Sequence, residues 1–236
     1  MKNAKTLCKH PLSVLYWRQA AAEFSDLRSI SCAAMLCALA IVIEQFQIPV
    51  SRTLFVSASF LVVAPCSMLT GPLMAIPCGV LVDVVGAILS GYEFFPGYTL
   101  TAVLSAVIYA LFLYRVRLTL FRIALGKTIV DLFINVLLGS LWRAIMENGP
   151  YSFYVALSGV KNLILLPIEI FLLTLLLRAL QKPLGQLGLL PEGAELRIER
   201  KDLILTAVVI PAFASLFALF AIYYEEIREF LQNLFS

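Results

Sequence analysis

The sequence predicts an all-α membrane protein, and three observations carry the prediction. Apolar residues make up 61% of the 236 and charged residues only 14%, where a soluble domain carries about 25% charged residues. Mean hydropathy is +0.93. The apolar residues are also gathered into seven runs that approach or exceed the ~20 residues a helix needs to cross a bilayer. No strand-like alternation, internal repeat or low-complexity tract competes with that pattern. The lipid bilayer is therefore the first partner the composition implies.

In chain order, the first run is 29–47 and the second 54–70, closed by Thr70, Gly71 and Pro72, which break a helix. The third is 73–90 and the fourth 98–114. Between them Ser90–Thr99 is a short aromatic connector holding Gly91, Pro96 and Gly97. The fifth run is 120–146, the sixth 152–180 and the last 203–224. Residues 1–28 precede the first run, and Lys2, Lys5, Lys9, Arg18 and Arg28 make them basic. They contain no compact apolar stretch followed by a small-residue cleavage site, so a signal peptide is not expected. Residues 181–202 are rich in Pro, Gly and charge and are expected to form a polar surface loop. The chain is thus divided into an N-terminal segment 1–28, a membrane domain 29–180, the loop 181–202 and an additional span with a short tail, 203–236.

Lys and Arg placement orients the bundle. Basic residues concentrate in the N-terminal segment, in the connector with Arg115, Arg117 and Arg122, and in the 181–202 loop. The opposite connectors carry only Arg52, Arg143 and Arg228. The positive-inside rule then puts the N-terminus in the cytoplasm and the Ser90–Thr99 connector outside.

Several chemistries find no support. A net charge of +3 is too small to suggest nucleic acid. The five cysteines (Cys8, Cys32, Cys37, Cys66, Cys78) form no CxxC pair and no metal-like spacing with the one histidine, His10, so neither a disulfide framework nor a metal site is expected. No cofactor is implied. Phosphate-binding loops, zinc-protease motifs and nucleophile elbows are absent, so a nucleotide-driven step would have to come from other subunits.

The polar residues inside the runs point instead to a binding cavity. Ionisable groups in a membrane span are costly and mark function by default. Here they are Glu44, Asp83, Lys127, Asp131, Lys161 and Glu169, and Lys127 and Asp131, four apart, can neutralise each other. Asp131, Asn135, Gly139 and Trp142 share one face of the fifth helix, with Arg143 beside them. An amide offers paired donor and acceptor bonds, an indole a surface to stack on, and a guanidinium a carboxylate partner. That lining suits an amphipathic heterocycle; an ordinary interhelical polar contact is the alternative. Arg52, Arg143 and Lys161 would favour an anionic solute at the outer mouth. Ala34 and Ala38 form a small-residue face on the first helix, fit either for packing within the bundle or for docking another protein.

Taken together, these stretches resemble the substrate-binding S component of energy-coupling factor vitamin transporters, in its folate-specific branch. The resemblance rests on the first-helix small stripe around Ala34 and Ala38, on Phe60-Leu61 and Leu69–Pro72, and on Val82–Ala87. It continues through Phe95–Thr99, Leu111–Arg115, Asn135, Leu141-Trp142 and Lys161–Pro167, covering about residues 29–180. It implies a six-helix vitamin-binding bundle, with 203–224 as one extra C-terminal transmembrane helix, in a bacterial cell membrane. It also implies that the chain captures folate from outside, and that it docks through Ala34 and Ala38 on a transmembrane coupling protein with two ATPase subunits. The chain itself would not be an enzyme. The residues expected at the ligand are Arg52, Phe60, Tyr98, Thr99, Asn135, Trp142, Arg143 and Lys161. Gly139 and Ser158-Gly159 stand where the family pattern has an asparagine and an arginine, which keeps open another vitamin as cargo. An intramembrane enzyme using Asp83 and Asp131, and a passive scaffold, are the remaining alternatives.

Overall fold

The computed structural model describes residues 7, 13–49, 55–91, 94–191, 193–196, 199–213 and 215. Helices account for nearly all of the regular structure among them. A short helix α1 (Val14–Ala22) leads through one 3-10 turn into α2 (Leu27–Glu44). Then come α3 (Phe60–Ser90) and α4 (Pro96–Leu113). A 28-residue stretch Leu120–Glu147 follows, wound as α5 (Leu120–Ile129), a π-helical segment (Val130–Leu138) and α6 (Gly139–Glu147). The last of the long helices is α7 (Tyr151–Gln186). Of these, α2, α3, α4, the Leu120–Glu147 stretch and α7 are long and apolar enough to cross a membrane. The only strands among the described residues are two-residue pieces, Ile48–Pro49 paired antiparallel with Phe55–Val56. An all-α membrane fold is what the apolar runs predict.

α3 is a hairpin rather than a rod. Gly71 sits at φ 76°, ψ 174°, outside helical geometry and in a region that favours glycine. The sulfurs of Cys66 and Cys78 lie within 4.8 Å of each other, whereas twelve residues of continuous helix rise about 18 Å. The chain therefore folds back at Gly71, and its arms 60–70 and 72–90 make six membrane rods out of five long helices. Gly71 has a second reason to lack a side chain, since a Cβ there would stand 3.0 Å from the Tyr114 ring. This is the break that Thr70, Gly71 and Pro72 predict, although the second run becomes helical only from Phe60.

The buried core of Leu69, Leu113, Leu118, Ile123, Leu173 and Leu177 fills the end of the bundle near that turn. The outer faces of the rods remain apolar and exposed, as at Met35, Ile88, Ile164 and Phe171, which is the surface a lipid environment requires.

Two segments depart from expectation. The N-terminal segment does more than precede the first span. Ser13 caps α1 by accepting from the Tyr16 backbone N–H, and α1 plants Tyr16 and Ala20 in the core. The Tyr16 hydroxyl donates to the Ala110 carbonyl at 3.0 Å. Glu23 is buried too, accepting from Arg115 at 2.7 Å and Tyr114 at 3.0 Å on Oε1 and from Ser29 at 2.5 Å on Oε2. The second departure is the 181–202 loop. α7 continues to Gln186, and Leu184 and Leu189 fold back into the core. Beyond it, residues 200–213 are helical, with Ile210 and Phe213 against the Leu120–Glu147 and α7 rods. The rest of the expected span 203–224 lies outside the described residues.

Candidate functional site

A cavity of about 670 Å³ opens at the end of the bundle opposite the Gly71 turn. That volume is within the range of small-molecule sites. Every rod of the bundle contributes to its wall, the 60–70 arm of α3 through Phe60 and Val63 and the others through at least one polar residue.

The floor is an ionic cluster. Lys127 Nζ lies 2.7 Å from Asp131 and 2.7 Å from Glu169, and all three side chains are largely withdrawn from solvent. The same ammonium stands 4.1 Å from the centre of the Phe60 ring, a cation–π contact that supplements the two carboxylates. Asp131 Oδ1 also accepts from Asn135 Nδ2 at 3.1 Å, which fixes the amide at the cavity wall. Asp131 Oδ2 has no hydrogen-bond donor on it and, with Asp131 fully buried, lies beneath the cavity surface.

The side walls differ in sign. On the α2 and α3 side Glu44 and Asp83 line the cavity, and Asp83 accepts from the Thr99 hydroxyl at 2.6 Å. On the α6 and α7 side stand Arg143 and Lys161, with Arg143 donating to the Ser158 hydroxyl at 3.0 Å. Glu147, also on the lining, accepts from Tyr154 at 2.7 Å. The lining therefore mixes both signs, with the cations Arg143 and Lys161 on one side.

An aromatic group stands at the mouth. Phe95 packs against Tyr98 and Trp142, with ring centroids 6.0 and 5.8 Å apart. Pro96 begins α4 directly after Phe95, whose extended backbone suits a residue before proline. Gly97 sits between the rings of Phe95 and Trp142, where a Cβ would collide with both. Trp142 Nε1 donates to the Thr101 hydroxyl at 3.1 Å, so the indole is held in one orientation.

Of the residues expected at a ligand, Phe60, Tyr98, Asn135, Arg143 and Lys161 line the cavity together. Thr99 and Trp142 do not. They stand one layer behind, Thr99 on Asp83 and Trp142 on Thr101 and Phe95. Arg52 lies outside the described residues, as does Tyr92. The lining also includes Glu169, marked in the sequence as an ionisable residue inside a run, Asn162 beside Lys161, and Phe95 of the aromatic connector. Thr101 and Tyr109 line it too, and carry no sequence signal distinct from packing. On α2 the small residues fall on two faces. Ser29, Ala33 and Cys37 are buried, whereas Ala34 and Ala38 are exposed on the outside of the bundle.

No protein-family model matches the chain. Curated relatives and a solved structure do. A folate transporter, FolT, of Clostridium novyi (strain NT) is 32% identical over 140 residues, which is 58% of this chain and 80% of the relative. A folate transporter FolT of Leuconostoc mesenteroides subsp. mesenteroides is 30% identical over 152 residues, 61% of this chain and 82% of the relative. A crystal structure of FolT bound with folic acid superposes with a TM-score of 0.58 at 28% identity, covering 62% of this chain and 90% of that one.

Proposed function

Because the chain belongs to the FolT family, the folate-specific S components of vitamin transporters, we propose that it binds folate in the 670 Å³ cavity and carries it into the cell. Such a chain is a transport subunit and not an enzyme. The observation that carries the reading is the polarity of the cavity: a donor-seeking floor and a cationic wall, with aromatic rings at the mouth. Folate has a flat pterin with adjacent N–H donors at one end and two carboxylates at the other. Asn135, held at the wall by Asp131, suits the pterin edge. Arg143 and Lys161 suit the glutamate. Phe60 and Tyr98 complete the described contacts, and Arg52, outside the described residues, is a further proposed partner of the glutamate. Thr99 and Trp142 act by holding Asp83 and Phe95 in place.

Uptake against a gradient needs an energy source, and the chain carries no nucleotide-binding motif. The proposed source is a transmembrane coupling protein with two ATPase subunits. The exposed Ala34 and Ala38 on α2 are the docking face, since small residues let a partner helix approach closely in lipid. In this reading the membrane is the bacterial cell membrane, the N-terminus is cytoplasmic and the cavity faces outward.

Equilibrium binding of radiolabelled folic acid to the purified chain tests the assignment. Saturable binding at nanomolar to micromolar folate is expected. Its absence, with a different small molecule retained through purification and identified by mass spectrometry, would transfer the same role to another vitamin.

A further inference from the structure

Three cysteines that are far apart in sequence meet inside the bundle, away from the folate cavity's ionic floor. Cys37 comes from α2, and Cys66 and Cys78 from the two arms of α3. Their sulfurs lie within 4.8 Å of one another, with Cys37 and Cys66 buried and Cys78 partly so. They border a separate void of about 20 Å³, closed otherwise by apolar or small residues such as Leu36, Val63, Val82 and Ala106. The meeting depends on the reversal at Gly71, which is why residue spacing alone does not reveal it.

We propose that this cluster is a binding site for a soft monovalent d10 cation, with copper(I) as the ligand it would take. Two arguments converge. The first is ligand type: sulfur donors select soft cations, and no oxygen or nitrogen side chain other than the Ser67 hydroxyl borders the void. The second is geometry. Metal–sulfur bonds of about 2.3 Å put the sulfurs of a trigonal planar site roughly 4 Å apart, so small side-chain adjustments would close the present triangle. Thiols bind metals as thiolates, so forming the three copper–sulfur bonds releases the three thiol protons to water, with the oxidation state of copper unchanged. A structural zinc ion would need a fourth ligand, for which the void has no further sulfur or imidazole. An occupied site would tie α2 to both arms of the hairpin.

The test is anaerobic titration of the purified full chain with copper(I) buffered by a competing chelator, followed by X-ray absorption at the copper edge. One copper per chain with three sulfur neighbours is expected, with folate binding intact. Cys66→Ala and Cys78→Ala should each weaken copper at least tenfold, and Cys32→Ser should leave it unchanged. No retained copper, or copper with fewer than three sulfur neighbours, would overturn the proposal. So would equal affinity in the Cys66→Ala and Cys78→Ala chains. Should those variants fail to fold, the sulfur count in the unmodified chain decides the matter alone.

Discussion

The bundle buries two ionic clusters, one at each end, and they differ in what is left over. At the Gly71 end, Glu23 is fully engaged. Arg115 and Tyr114 donate to one carboxylate oxygen and Ser29 to the other. At the opposite end Lys127 is shared between Asp131 and Glu169, Asn135 donates to one Asp131 oxygen, and the other has no donor. That second cluster forms the floor of the cavity. Burial and ion pairing alone do not separate the two. A saturated cluster locks helices together, while one beneath a cavity can also position the side chains that face a ligand. On the proposed function Glu23 serves stability and Asp131 the ligand site, and substitutions at the two should have opposite signatures.

The largest effect is expected at Glu23. Glu23→Ala leaves Arg115, which is 9% exposed, without its carboxylate. Removing one partner of a buried pair costs about 3–5 kcal/mol. Thermal unfolding in detergent should show a large loss of stability, while the folded fraction binds folate as before. A weakened folate affinity in that fraction would erase the distinction between the two ends.

Asp131→Asn is the counterpart and the next in size. Lys127 keeps Glu169, so the remaining pair is neutral and the fold should hold. The charged carboxylate that holds Asn135 at the cavity wall is gone. Hydrogen bonds to charged groups contribute about 1.5–3 kcal/mol, so folate should bind roughly 10- to 100-fold more weakly by equilibrium dialysis, with the unfolding temperature little changed. The discrimination against a folate analogue lacking the 2-amino group should shrink in parallel. If the variant instead unfolds while folate affinity persists, Asp131 belongs with Glu23 as a structural group.

Most of this contrast was hidden in the sequence, for physical reasons. What was legible is local. Lys127 and Asp131 are four apart on one helix, so their pairing follows from helical geometry. The Gly71-Pro72 break announces a turn, and the apolar runs announce the rods. What was hidden depends on contacts between distant rods. Glu169 reaches Lys127 only because α7 packs on α5, and Glu23 finds Arg115 only because α1 docks on the bundle. A charged residue ahead of the first apolar run reads as solvated, yet here it is buried because its partner is buried with it. The Ser13 and Asp26 helix caps could have marked α1 and the start of α2. Thr99 and Trp142 had the right level and the right chemistry but face other side chains, since helix register sets height more firmly than it sets which neighbour occupies the front layer.

Arg143 sharpens the comparison from the cavity's outer side, with the smallest effect. It is only partly buried, and it donates to a neutral hydroxyl, that of Ser158, and not to a carboxylate. Arg143→Gln should leave the unfolding temperature unchanged. Water reaches this level of the cavity and screens the attraction between the guanidinium and a ligand carboxylate. Its loss should therefore weaken folate about tenfold or less, and less still as salt is raised. A ligand trimmed of its glutamate should bind the variant and the parent chain equally. Together with Asp131→Asn, this resolves orientation: the floor variant responds to changes on the pterin and the mouth variant to changes on the glutamate. If the two responses were exchanged, folate would lie in the cavity the other way round, with its carboxylates beside Lys127 and its pterin between Arg143 and the aromatic rim.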